Sequence, residues 1–68
     1  MNGGQFIRRA RRWARTNGLA EQVETSRGKG GHVTQTIGER YTVVKTGEIG
    51  TGLLGAMLKQ LGIPKDEF

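Results

Sequence analysis

Apolar residues near the start of the chain recur at the spacing of an amphipathic helix. At about 100° per residue, they occupy one arc of residues 4–17 and arginines occupy the opposite arc. The apolar arc consists of Phe6, Ile7, Ala10, Trp13 and Ala14, and the arginine face consists of Arg8, Arg11, Arg12 and Arg15. Gly18 follows as a residue that ends a helix in the left-handed conformation. The pattern predicts a helix over residues 4–17.

Alternation of apolar and polar residues replaces the helical spacing in the middle of the chain. It predicts strands over residues 19–26, 32–37 and 40–45, with a type II′ turn beginning at Gly38. Side chains of the middle strand alternate between two faces of the sheet. One face carries Val33, Gln35 and Ile37, and the other, which we expect to be open to solvent or a ligand, carries His32, Thr34 and Thr36.

A second helix is predicted over residues 52–61, with Thr51 as its N-cap and Gly62 as its end. Leucines and a methionine repeat there at the i, i+3, i+4, i+7 spacing of a buried stripe. Residues 65–68 are expected to form a flexible tail. The predicted order is α-β-β-β-α, an α+β fold with a three-stranded antiparallel sheet and both helices on one face. Residues 1–68 form a single predicted domain.

Composition excludes several classes of protein. The chain has no cysteine and one histidine, so we expect no disulfide, no metal site and no cofactor bound through such ligands. No apolar run approaches the ~20 residues of a membrane span. The N-terminal residues also lack the apolar stretch of a signal peptide. We therefore expect a cytoplasmic protein without a membrane partner.

The charge balance favours a polyanionic partner. Lysine and arginine number 11 against 6 acidic residues, for a net charge of +5. Nucleic acid is the first candidate for such a chain, and an acidic protein is the second. A charged helix face is most often simply solvated. The arginine face nevertheless contains no acid between Arg8 and Arg15, where a solvated face usually mixes both signs of charge.

The segment Arg27-Gly28-Lys29-Gly30-Gly31-His32 contains the residue types of a phosphate site. Glycines allow close approach of backbone N–H groups to an anion, and Arg27 and Lys29 add cationic donors. Histidine is the side chain that most readily exchanges a proton near neutral pH. A phosphate cradle beside an imidazole suits RNA strand scission. A glycine-rich hairpin can also be an ordinary turn, and a single exposed histidine often has no functional role.

Two motifs resemble one known family. The run Gly28-Lys29-Gly30-Gly31-His32-Val33 resembles the G-K-G-S-H-x signature of HicA-type mRNA interferase toxins. Residues 52–63, GLLGAMLKQLGI, resemble that family's last helix, typically G-T-L-x-x-I-L-K-Q-L-G-I. The order of elements and the length agree as well. The chain departs from the pattern at Gly31, where the family usually has serine, and at Lys45-Thr46-Gly47, which replaces a Pro-His-like segment.

The resemblance implies a fold like that of double-stranded-RNA-binding domains and an endoribonuclease that cleaves mRNA without a metal. It implies His32 as the catalytic residue and a HicB-type antitoxin as the inhibiting partner. The expected RNA-binding set is Arg27, Gly28, Lys29, Gly30, Gly31 and Arg40, together with the arginine face, which could instead meet the antitoxin. If the family serine positions the phosphate, Gly31→Ser should raise the cleavage rate.

Two other functions remain open from the sequence. One is a non-catalytic RNA-binding module of the same fold, and the other is a small basic protein that binds an acidic partner. The second proton-transfer group is also open, between water, Tyr41 and Lys29. We expect Tyr41 to be an ordinary aromatic residue of a strand that packs against a helix. We expect Trp13 to cover the hydrophobic core, with its indole N–H near the edge of that core.

Overall fold

Two helices cover one face of a three-stranded antiparallel sheet in the computed structural model, which describes residues 1–25 and 31–68. The strands lie in the order β1-β2-β3. The elements along the chain are α1 (Gly3–Thr16), β1 (Glu21–Thr25), β2 (His32–Ile37), β3 (Arg40–Lys45) and α2 (Thr51–Leu61), followed by a 3-10 turn at Lys65–Glu67. This order confirms the predicted α-β-β-β-α arrangement and α+β class. No helix in the described ranges is long and apolar enough to cross a membrane.

A capping box begins α1 one residue earlier than predicted. The Gln5 backbone N–H donates to Asn2 Oδ1 at 2.8 Å, and the Asn2 N–H donates to Gln5 Oε1 at 2.9 Å. Each side chain thereby satisfies a backbone donor that the helix itself leaves unpaired. At the other end, Gly18 has the predicted left-handed backbone, with φ of +67°.

The register of the sheet confirms the two faces predicted for β2. Val33 pairs with Val44 and Gln35 with Thr42, and these side chains point toward the helices. The two-residue turn at Gly38, with φ of +61°, sets this register. β1 begins two residues later than predicted, and Leu19 before it stays exposed.

The core joins both helices to the sheet. It consists of Phe6, Ala10, Ala14, Ile37, Val44, Ile49, Met57, Leu58, Leu61 and Ile63. Burying a side chain of the size of Phe6 or Met57 stabilises the fold by about 1.5–3 kcal/mol. The core also contains Gln35, whose amide donates to the Ile7 carbonyl and to Glu21 Oε2, both at 3.1 Å. These bonds tie β2 to α1 and to β1.

α2 begins without a side-chain cap. Gly50 is the N-cap residue, so Thr51 is the first residue of the helix and not its cap as predicted. Gly62 ends the helix with φ of +74°, and the Ile63 N–H donates to the Leu58 carbonyl at 2.9 Å. This is the glycine-ended arrangement that the sequence predicts.

Residues 65–68 differ from the flexible tail that we expected. The Phe68 ring lies 5.1 Å from the Phe6 ring, and the Trp13 indole N–H donates to Glu67 Oε1 at 3.0 Å. The Arg9 guanidinium stacks 4.7 Å from the centre of the Phe68 ring. The apolar last residue and the indole donor hold this segment against α1 because both need partners at the rim of the core.

Candidate active site

His32 is the first residue of β2, directly after the glycine-rich segment. Its side chain projects from the face of the sheet opposite the helices, because Val33 beside it points into the core. The residue is half-buried, and Nδ1 is buried without a hydrogen-bond partner among the described residues. A buried polar atom without a partner is costly in free energy, and a functional role is one of the explanations for such an atom.

Lys45 lies directly opposite His32 on β3. The neighbouring pair, Gly31 and Thr46, is a hydrogen-bonded one, since the Thr46 N–H donates to the Gly31 carbonyl at 2.6 Å. Hydrogen-bonded and non-hydrogen-bonded pairs alternate in an antiparallel ladder, so His32 and Lys45 form the closer kind of pair. Their Cβ atoms are therefore about 4.5–5.5 Å apart. Lys45 is exposed and has no ion pair among the described residues.

Thr46 fills the space beside Gly31. A Cβ atom built on Gly31 would lie 2.5 Å from Thr46 Oγ1, and the glycine backbone has φ of +87°. Both facts oppose any side chain at this position. This geometry opposes the gain expected from Gly31→Ser, because the hydroxyl of Thr46, the residue after β3, lies in the space that a serine side chain would enter.

The start of α1 supports the end of β3. The Gly3 N–H donates to the Gly47 carbonyl at 3.0 Å, and a Cβ atom on Gly3 would overlap the Lys45 carbonyl oxygen. Glycine at this position lets the helix approach the strand closely. The backbone of residues 45–47 is thus held between α1 on one side and Gly31 on the other.

Four of the predicted phosphate-binding residues, Arg27, Gly28, Lys29 and Gly30, lie outside the described residues. Their contribution stays a prediction. Gly31 and His32 are described, and they bring the end of that segment next to Lys45 and Thr46. Lys45 and Thr46 were missed as site residues by sequence reasoning. Counting the register outward from the two-residue turn at Gly38 would have placed both beside this segment.

Arg40 is not brought together with His32. It lies at the opposite end of β3 from Lys45, five residues and about 17 Å away. Its Cδ atom lies 3.1 Å from the position of a Cβ on Gly62, so the side chain packs over the end of α2. A cation there complements the negative end of the helix dipole.

The arginine face is also separate from His32. Its residues are exposed on α1, which covers the opposite face of the sheet. Arg11 pairs with Glu21, with Nε and Oε1 3.0 Å apart. Within the described part of the chain, Arg8, Arg12 and Arg15 form no ion pair. Among the described residues, Lys45 and the arginine face therefore carry their positive charges on opposite sides of the sheet.

Tyr41 lies on the same face of the sheet as His32 and is 64% exposed. The expectation that it packs against a helix is wrong. Thr42 and Val44 point toward the helices, so alternation along β3 directs Tyr41 and Val43 to the other side. Tyr41 is also four residues and about 13 Å along the strand from Lys45, too far to exchange a proton at a group bound by His32.

In comparisons with known proteins, no family model matches the chain, and no curated protein or solved structure is similar to it.

Proposed function

We propose that the protein is a HicA-like endoribonuclease that cleaves mRNA through His32 and thereby inhibits translation and growth. The observation that supports this proposal most directly is the pairing of His32 with Lys45 on the uncovered face of the sheet. An imidazole and a cation side by side provide a proton-transfer group and a partner for phosphate. The resemblance of residues 28–33 and 52–63 to that family agrees with this proposal.

The reaction that these groups suit is transfer within the RNA backbone. His32 accepts the proton of a ribose 2′-OH, and the 2′ oxygen forms a new bond to the adjacent phosphorus. The bond from phosphorus to the 5′ oxygen breaks. The products are a 2′,3′-cyclic phosphate and a 5′-OH end, with water or a lysine ammonium returning a proton to the leaving oxygen. Cations near the phosphate stabilise the charge that develops on its oxygens.

The arginine face serves a different purpose in this proposal. Because α1 lies on the other side of the sheet from His32, Arg8, Arg12 and Arg15 bind either flanking RNA or an acidic partner. A HicB-type antitoxin is the partner that the family resemblance implies.

Two proteins expressed in a bacterial host test the proposal. Wild type should arrest growth and produce discrete cuts in a reporter mRNA, as mapped by primer extension. His32→Ala should do neither, with circular dichroism showing that the variant is folded. Arrest by both proteins would contradict catalysis through His32 and favour toxicity through binding. Absence of arrest and of cuts with wild type would contradict the toxin proposal itself.

An RNA-binding module without catalysis is the second candidate, and the exposed Tyr41 favours it specifically. Aromatic side chains on an open sheet can stack on bases without any chemistry. In that case RNA affinity should be the same in wild type and His32→Ala, and neither protein should cut RNA.

A further inference from the structure

One face of the sheet carries large side chains that nothing described covers. This open sheet face consists of His32, Thr34 and Thr36 from β2, Tyr41, Val43 and Lys45 from β3, and Gln22 and Glu24 from β1. Tyr41 is 64% exposed and Val43 is 50% exposed, although both lie within a regular strand. In a chain of 68 residues with a small core, apolar surface left exposed in this way is typical of a binding surface.

We propose that the open sheet face binds single-stranded RNA, with a base stacked on Tyr41 and a phosphate held at Lys45 beside His32. The inference rests on the proposed function, because it assigns the substrate-binding surface of the same site. It adds a substrate class, unpaired RNA, and a binding residue, Tyr41, which the sequence led us to expect against a helix.

The open sheet face has a different kind of side chain at each end of β3. Lys45 and His32 form a polar, cationic end, and Tyr41 forms an aromatic end about 13 Å away. Between the two ends lies the pair Thr34 and Val43, and Thr36 lies beside Tyr41 at the aromatic end. A strand of RNA can therefore lie along the face, with hydroxyl groups available to its sugars and phosphates.

The distribution of charge also suits RNA. Among the described strand residues, Glu24 is the one acid whose position places it on this face, and its cross-strand partner is Thr34. No carboxylate of these strands lies opposite Lys45, because its partner is His32. The cationic end of the face is thus available to a phosphate, in a protein with a net charge of +5.

Single-stranded RNA fits this face better than a duplex. Bases in a duplex are stacked on one another and cannot stack on a protein side chain, whereas unpaired bases can. Stacking on an aromatic residue is worth about 1–3 kcal/mol per base and depends little on sequence. A protein partner is the competing occupant, since Tyr41 and Val43 also border an apolar groove toward Leu53 on α2.

Binding of a short single-stranded RNA in the His32→Ala background tests this inference without cleavage. Tyr41→Ala should weaken binding by about five- to a hundredfold, and Tyr41→Trp should retain it. The tryptophan introduced at position 41 should show fluorescence quenching by RNA beyond that of Trp13 alone. A matched duplex should bind more weakly than the single strand and should be insensitive to Tyr41→Ala.

Leu53→Ala is the matched control, because Leu53 is 48% exposed and borders the same groove as Tyr41 but lies on α2 and not on the open sheet face. It should leave RNA binding unchanged. Equal affinity of the Tyr41→Ala variant and its parent would overturn the inference. Equal losses in the Tyr41→Ala and Leu53→Ala variants would overturn it as well, and would indicate an apolar docking groove.

The proposed function and this inference can fail separately. If cleavage needs His32 but wild type and Tyr41→Ala have the same KM and kcat, the proposed ribonuclease activity stands and the proposed RNA-binding face is rejected. If the His32→Ala variant still cleaves RNA, catalysis through His32 is rejected, regardless of the effect of Tyr41→Ala. If both hold, Tyr41→Ala should raise KM, with a smaller effect on kcat.

Discussion

His32 and Lys45 form a directly opposed pair on β2 and β3, on the face of the sheet that neither helix covers. The pair is anchored on its outer side by the hydrogen bond from the Thr46 N–H to the Gly31 carbonyl. This bond joins the end of the glycine-rich segment to the end of β3. A cation from β3 thus lies beside a candidate site whose sequence signature, residues 28–33, ends within β2.

Removal of the Lys45 charge should impair catalysis more than folding. Lys45→Gln should lower kcat on single-stranded RNA by about ten- to a hundredfold, the effect of losing a charge-assisted contact to phosphate. Lys45→Arg should retain most of the rate because it keeps the charge. Lys59→Gln is the control, since Lys59 is exposed on α2. A Lys45→Gln variant as active as the Lys59→Gln control would exclude Lys45 from the site.

Gly31→Ser should lower both stability and cleavage. The left-handed backbone costs a residue with a side chain about 1–2 kcal/mol, and the new Cβ atom would meet Thr46 Oγ1 at 2.5 Å. Combining it with Thr46→Gly should recover part of the lost stability, because the overlapping hydroxyl is removed. Urea unfolding and single-turnover cleavage measure the two effects. A faster Gly31→Ser enzyme would show that the segment can rearrange around a serine hydroxyl.

The fold was predictable because its signals are local. Alternation over residues 32–37 and 40–45, glycines at 18, 38 and 62, and helical spacing of apolar residues each point to one structure. Tyr41 was misassigned because residue type was given more weight than the alternation that places Thr42 and Val44 on the core side. The face of a strand residue follows from its register more reliably than from its hydrophobicity.

The site was only partly predictable because its parts are distant in sequence. His32 was found from the glycine-rich segment, whereas Lys45 and Thr46 join it only through the pairing of β2 with β3. Arg40 was grouped with His32 by charge, but the length of β3 separates them. The packing of Phe68 on Phe6 was missed because terminal residues carry no periodic pattern.

Phe68 should contribute to stability although it is the last residue of the chain described. Phe68→Ala removes the aromatic contact with Phe6 and the stacking of Arg9, at a cost of about 1–2 kcal/mol. For a domain of this size, that loss corresponds to a fall in Tm of roughly 4–16 °C. Asp66→Ala, at an exposed position nearby, is the control. Equal melting temperatures for the Phe68→Ala variant and wild type would mean that the segment does not stay packed.

The arginine face should affect RNA affinity through salt-dependent contacts and not through chemistry. Replacing Arg8, Arg12 and Arg15 with glutamine should leave the single-turnover rate at saturating RNA unchanged. If the three contact phosphates, the slope of log K against log salt should become less negative by about 0.7 per contact removed. Binding titrations at several salt concentrations measure this slope. An unchanged slope would exclude phosphate contacts by this surface.

Cleavage of a short RNA by the purified protein is the most direct test of the central claim that His32 activates a ribose 2′-OH. The substrate should be compared with the same strand carrying a 2′-deoxy sugar at the mapped cleavage position, using wild type and His32→Ala. We predict cleavage of the all-ribose strand by wild type alone, with a 2′,3′-cyclic phosphate end, and none of the deoxy strand. Cleavage of the deoxy strand, or equal cleavage by His32→Ala, would contradict the account.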